Sequence, residues 1–165
     1  MTEEQLKILK VMSEVTGRVD MNEFARRVGL APNQVTEQVQ ELAKAGFVKK
    51  VGAGYGITEK GRIALKAAKP VSGGMEFHFY VGIGQPTRLS SRNMQEFYPI
   101  VKKVDVASLE FHLYRGDFEN WVATAVEDAA FAAELAELKR GNLRGEELRK
   151  ELLKALEARY GFAES

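Results

Sequence analysis

Apolar residues recur every three or four positions from Leu6 to Leu42, the spacing of amphipathic helices. Leu6, Leu9 and Met12, with Ile8 and Val15, predict a first helix over about Glu3–Glu14. Thr2 followed by Gln5 has the spacing of a capping box, and Gly17 offers a left-handed stop. A second, short helix begins after Asp20, with Glu23 as its box partner. Phe24, Ala25 and Val28 point inward, Arg26 and Arg27 outward, and Gly29 ends it so that Leu30 packs back. A third helix starts near Pro32, where the missing amide costs nothing. Val35, Val39 and Leu42 form its inner face; Asn33, Gln34, Thr36, Glu37, Gln40 and Lys44 form its outer one. Gly46 stops it. The period then changes: Phe47–Val51 and Tyr55–Ile57 read as strands joined by Gly52-Ala53-Gly54, and Thr58 caps a helix from Glu59 to about Lys69. Two helices around a tight turn, then a hairpin, make a helix-turn-helix with a wing, an order that places one helix in a DNA groove.

Pro70-Val71-Ser72-Gly73-Gly74 reads as a linker, and a second domain spans residues 75–165. Its first part is rich in aromatic residues. Met75–Val81 alternates like a strand, Gly82–Pro86 reads as a loop, and Ser90 or Ser91 caps a helix that Pro99 should kink or split. Asp105 caps a segment to Tyr114 that fits a helix but also alternates as a strand; helix is favoured. Gly116 breaks it and Asp117 caps the next helix. Two more helices follow, over about Ala129–Lys139 and Glu146–Tyr160. The expected fold class is mainly α (α+β): a winged helix-turn-helix over residues 1–69, then an α-rich domain with one or two short strands.

Composition alters this picture only slightly. An apolar share of 45% and a charged share of 28% are those of a soluble globular protein. No apolar run approaches the roughly 18 residues of a membrane span, and no basic-then-apolar leader opens the chain, so a cytoplasmic protein with no membrane partner is expected. Cysteine is absent, which excludes disulfides and thiolate metal sites. Net charge is +1, yet residues 1–69 hold 12 Lys and Arg against 8 Asp and Glu (net +4) and residues 70–165 hold 12 against 15 (net −3). The basic excess lies on the half expected to meet phosphates.

Ala45-Gly46-Phe47-Val48-Lys49-Lys50, followed by Gly54-Tyr55-Gly56-Ile57-Thr58-Glu59-Lys60-Gly61-Arg62, resembles the wing and following helix of winged-helix transcriptional regulators of the MarR/ArsR type. The resemblance covers residues 3–69 and implies DNA binding, although winged helices also serve as protein-interaction modules. Residues 75–160 resemble a mainly archaeal domain family of unknown function. Its hallmark is a histidine shortly before D-F-x-x-W and then an L-A-x-x-L helix; the matching positions are His112, Asp117 to Trp121, and Ala133-Glu134-Leu135. That resemblance implies no activity.

Several residues carry candidate chemistry. Asn33, Gln34, Thr36 and Gln40 have side chains that can read base edges, while Arg26, Arg27, Lys49 and Lys50 can hold phosphates. Against this, the third helix has no arginine, and Glu37 and Glu41 oppose the field of DNA. Glu76–Gly82 echoes Glu110–Gly116 at five of seven positions, with the chain's two histidines, His78 and His112, at the same place in each. A duplication would bring two imidazoles over one ligand or metal; the favoured alternative is a chance echo with each ring bonded in an aromatic core. His78, His112, Arg115, Asp117 and Trp121 are the residues a small-molecule effector pocket would use, though an aromatic cluster is more often core. Gly82-x-Gly84 before a capped helix hints at an anion loop, but it lacks the third glycine of the dinucleotide fingerprint. No nucleophile–base pair, metal cluster or complete phosphate loop is visible, so neither an enzyme nor a cofactor is expected. The expected function is a DNA-binding transcriptional regulator, a homodimer on double-stranded DNA, with a C-terminal domain that dimerises, senses an effector, or both. The alternative is a winged-helix adaptor that binds protein and not DNA.

Overall fold

The computed structural model describes residues 2–14, 21–52 and 54–162. The expected features at Val15, Gly17, Asp20 and Ala53 lie outside the described residues. The chain is mainly α with two small antiparallel sheets, and it divides into two compact units, Met1–Lys66 and Ala67–Ser165.

The first unit contains α1 (Glu3–Glu14), α2 (Met21–Val28), α3 (Pro32–Lys44), β1 (Val48–Val51) and β2 (Gly54–Ile57), with α4 (Glu59–Ala68) following. This is the order of a winged helix-turn-helix. The capping box of α1 forms: the Thr2 amide donates to Gln5 Oε1 at 3.0 Å, and the Gln5 amide donates to Thr2 Oγ1 at 3.1 Å. Ile8 and Leu9 from α1, Ala25 and Val28 from α2, Val35, Val39 and Leu42 from α3, and Val48 from β1 form one buried core. Each large aliphatic side chain there contributes roughly 1.5–3 kcal/mol on leaving water. The turn between α2 and α3 is sharp because Gly29 adopts a φ of 76°, so that the amides of Gly29 and Leu30 both reach the Ala25 carbonyl, at 2.9 and 3.0 Å.

The wing is tied back to the helices by Thr58. Its hydroxyl donates to the Gly46 carbonyl at 2.7 Å and accepts from the Gly61 amide at 3.1 Å, while its own amide donates to the Phe47 carbonyl at 3.0 Å. The close approach needs a glycine at position 61, where a Cβ would lie 2.3 Å from the Phe47 oxygen and 2.7 Å from Ile57 Cγ1.

The second unit pairs β3 (Phe77–Gly82) with β4 (Gln85–Ser91) and packs the hairpin on α5 (Met94–Lys103) and α6 (Val106–Arg115). There follow α7 (Asp117–Trp121), a π-helical turn (Val122–Val126), α8 (Ala129–Arg140) and α9 (Gly145–Tyr160). β4 replaces the expected loop and the expected Ser90 or Ser91 cap. The cap of α5 is Asn93, whose Oδ1 accepts from the Glu96 amide at 2.9 Å. Ser91 is instead a buried strand residue paired with Phe77. The alternation of β4 is masked in sequence by Pro86 and by an irregular register, with Arg88 at a φ of 68°. Pro99 sits inside α5 without splitting it, its own ring exposed while Tyr98 and Ile100 are buried. Residues 70–74, read as a linker, fall in the second unit, where the Val71 amide donates to the Arg92 carbonyl at 2.7 Å.

Asp128, buried at the start of α8, joins that helix to the end of α9. It accepts from the Phe131 amide (3.2 Å), from Arg159 Nη2 and Nε (2.7 and 3.1 Å) and from the Tyr160 hydroxyl (2.7 Å). Burial pushes the carboxyl up, but these bonds together outweigh it and hold it below its ordinary value. The same contacts raise Arg159, and burial first and Asp128 second raise Tyr160.

Two expectations follow from this packing. Gly61→Ala should cost about 1–3 kcal/mol through overpacking against backbone that cannot retreat, read as a lower thermal midpoint by far-UV circular dichroism; an unchanged midpoint would contradict the close approach. Asp128→Ala takes the shared acceptor from the buried Tyr160 hydroxyl and the half-buried Arg159 guanidinium and should cost about 3 kcal/mol. The single tryptophan, Trp121, lies in the second unit's core, so its fluorescence in urea reports that loss directly.

Candidate functional site

In the first unit, burial of Val35, Val39 and Leu42 leaves the opposite face of α3 in solvent. Asn33, Gln34, Thr36, Glu37, Gln40 and Glu41 are all exposed. They are not equivalent. Gln34 folds back so that its Oε1 accepts from the Ala31 amide at 3.0 Å, supplying the cap that Ala31 cannot. Thr36 Oγ1 donates to the Pro32 carbonyl at 3.1 Å. Both side chains are therefore engaged with their own helix, whereas Asn33 and Gln40 project from it. Gln38 has a structural role not anticipated in the sequence: its Oε1 accepts from Gln5 Nε2 at 3.1 Å and joins α1 to α3.

The cations are exposed but not uniformly available. Arg26 and Arg27 occupy the last turn of α2, with Arg27 Nη2 3.9 Å from Glu14 Oε2. Lys49 and Lys50 are consecutive on β1, so strand alternation sends them to opposite faces of the hairpin. Lys50 pairs with Tyr55 across the ladder, and Lys49 with Gly56. Val51 and Tyr55 near the wing's tip remain 57% and 42% exposed. On α3, Lys44 lies 3.9 Å from Glu41.

In the second unit, His112 is buried on α6 beneath β3. Its ring meets Phe77 at 4.7 Å and Phe118 at 5.6 Å between centroids. Nε2 accepts from the Tyr80 amide at 2.8 Å, and Nδ1 lies 2.8 Å from Asp117 Oδ2. A backbone N–H can only donate, so Nε2 carries the lone pair and Nδ1 the proton. The imidazole is thus neutral, bonding the strand on one side and a carboxylate on the other. Burial depresses its proton affinity, Asp117 opposes that in part, and the result lies below the ordinary 6.5. Arg115 Nε sits 3.6 Å from the same Asp117 oxygen. Asp117, expected to cap a helix, is instead the first residue of α7 and is directed at His112; Gly116, at a φ of 80°, ends α6 before it.

Of the residues proposed to line a pocket, His112, Asp117 and Arg115 converge. Trp121 joins them through Phe77, 5.5 Å between centroids, while its Nε1 donates to the Met75 carbonyl at 2.6 Å. His78 does not join them: it lies on the exposed face of β3, alternate to buried Phe77 and Phe79. The two histidine segments also differ in structure, one being strand and the other helix, which removes the basis for a duplicated pair of imidazoles over one ligand. Both nitrogens of His112 are occupied, leaving none for a metal. Phe77, Phe79, Phe97, Phe118 and Trp121 interlock at centroid distances of 4.8 to 6.2 Å around it, as a core does. The glycine loop at 82–84 is a hairpin turn into β4, so no helix N-terminus faces it.

A family model described as HVO_A0114 matches residues 1–58, the stretch from α1 through β2, and does not reach the second unit. No curated protein and no solved structure matches the chain.

The His112 arrangement has a pH signature. A histidine whose folded affinity for protons is depressed contributes stability that is complete above its unfolded value, near 6.5. That stability is lost as pH falls from there toward the folded value. The difference in urea unfolding free energy between the natural chain and His112→Gln, followed by Trp121 fluorescence, should be flat above pH 7 and should move against the natural chain below about pH 6.5. A difference that stays constant down to pH 5 would contradict the assignment.

Proposed function

We propose that the first unit docks on duplex DNA and that the protein is a transcriptional regulator of winged-helix type. The observation that carries this reading is the polar, solvent-facing side of α3, set by the burial of Val35, Val39 and Leu42 and preceded by the exposed arginines of α2. In this reading Asn33 and Gln40 touch base edges, and amide side chains there suit adenine. Gln34 and Thr36 shape the start of the helix and meet DNA only if they exchange their present bonds. Arg26, Arg27, Lys49 and Lys50 grip phosphates. With Glu37 and Glu41 on the same face, one copy would bind weakly. A homodimer formed through the second unit, setting two α3 helices about 34 Å apart, would supply the missing affinity. The second unit would then also be the place where an effector acts.

A protein-binding adaptor is the second reading, and it is favoured by the exposed Val51 and Tyr55 near the wing's tip. Both readings place the protein in the cytoplasm.

Fluorescence anisotropy with a pool of random duplexes separates the two. The DNA reading expects affinity that falls steeply between 50 and 200 mM salt, with a log–log slope that flattens by about 0.9 for each phosphate contact removed. Lys49→Ala with Lys50→Ala should flatten it, and Asn33→Ala with Gln40→Ala should leave the slope unchanged but weaken the preference for duplexes selected from the pool over the pool itself. No binding at low salt, or binding indifferent to salt, would overturn the reading.

A further inference from the structure

We infer that a cleft between α5 and α9 is a binding site for a compact phosphorylated anion. The cleft has a volume of about 420 Å³, within the roughly 300–1,000 Å³ of small-molecule sites. Its wall on α9 is one face of the helix: Glu146, Arg149, Lys150, Leu153, Lys154 and Glu157 follow the spacing of three, four, seven, eight and eleven residues. Lys102 closes it from α5. Four cations thus face two carboxylates, in a half of the chain whose balance is otherwise acidic.

The order of charges along α9 decides what fits. Among the residues lining the cleft, the carboxylates stand at the two ends and the cations in the middle, around Leu153; Glu151 does not line it, though its Oε1 lies 3.5 Å from Lys154 Nζ. At about 1.5 Å of rise per residue, the positive stretch from Arg149 to Lys154 is about 7.5 Å long, and the carboxylates stand about 16 Å apart. One or two phosphoryl groups fit the middle. A continuous nucleic-acid backbone would run on into Glu157 at one end and would gain no further free cation at the other, where Arg149 is paired with Glu146.

The wall is prepared for such a ligand. Arg149 is the fixed element, its side chain only 14% exposed. Its Nε and Nη2 hold Glu146 at 2.7 and 3.2 Å, and Nη1 donates to the Val101 carbonyl at 2.8 Å, so α9 is pinned to α5 and Glu146 is neutralised. Glu157 accepts a hydrogen bond from the Tyr98 hydroxyl, which draws it toward α5. Lys102 Nζ lies 4.5 Å above the Tyr98 ring. Lys150 has no ion-pair partner among the described residues, and Lys154 shares only a 3.5 Å contact with half-buried Glu151. Lys150 and Lys154 can therefore donate to phosphoryl oxygens, with Leu153 supplying an apolar floor.

This inference concerns the second unit alone and stands or falls separately from DNA binding. Inorganic pyrophosphate is the probe, titrated into the full chain by calorimetry with ionic strength held constant by sodium chloride. The expected result is saturable one-to-one binding that weakens at least tenfold in Lys150→Gln/Lys154→Gln. That variant should keep the natural circular dichroism spectrum and melting point, since both side chains are exposed. Absence of saturation by 10 mM pyrophosphate, or equal binding by the folded variant, would overturn the site. In a third arm, a random duplex is added to the pyrophosphate complex. Retention of pyrophosphate supports a small-anion site, and displacement, together with duplex affinity lowered in Lys150→Gln/Lys154→Gln, assigns the surface to nucleic acid instead and overturns it.

Discussion

The first unit depends on the burial of one face of α3. Val35, Val39 and Leu42 lie against Ile8 and Leu9, Ala25 and Val28, and Val48, so three elements are held by one helix. Rotating α3 by a single residue, about 100°, would withdraw these side chains and bury Thr36 and Gln40, or Gln34 and Glu41, in their place. The apolar stripe therefore fixes the outer face as firmly as the inner one. Whatever α3 recognises must be met by Asn33, Glu37, Gln40 and Glu41, flanked by the exposed ends of α2 and the wing. Polar groups without an arginine among them suit a reader of base edges more than a clamp on phosphates, which shifts the electrostatic work to α2 and β1.

In the second unit a comparable constraint falls on one side chain. His112 accepts from a strand amide and lies against a carboxylate five residues later, across the break at Gly116. A phenyl ring would fill the same space but leave the Tyr80 amide unpartnered and Asp117 with Arg115 alone; a protonated imidazole would turn Nε2 into a donor facing a donor. The aromatic cluster is thus organised around a neutral histidine. Its hydrogen bonds, together with the ring contacts, make it a structural centre and not an open pocket, and the place for a ligand moves outward to the charged wall of α9.

Much of this was legible in sequence where the determinants are local. The stripes of α1 and α3, the Thr2–Gln5 box, Thr58 before α4 and Asp105 before α6 depend on residues within a few positions of one another, and the side chains do what their spacing implies. What escaped is non-local or strained. β4 was hidden because Pro86 and a left-handed Arg88 disturb its alternation. Asp117 reads as a cap in sequence because its pairing with His112 exists only once Gly116 has turned the chain. Asp128 draws its partners from 31 and 32 residues away, and the α9 cleft needs α5 beside it; no spacing rule reaches that far. The echo around His78 and His112 is a chance one, as the favoured reading of the sequence has it: five shared residues in seven do not choose between strand and helix, and the surrounding packing does.

The central claim is that the solvent face of α3 is a DNA-reading surface. The most direct measurement is the amide chemical-shift map of the full chain as a duplex is added at low salt. The account predicts that shifts concentrate on residues 32–41, on the last turn of α2 and on residues 49–55. Shifts confined to the second unit, or none in α3 at saturating duplex, would contradict it.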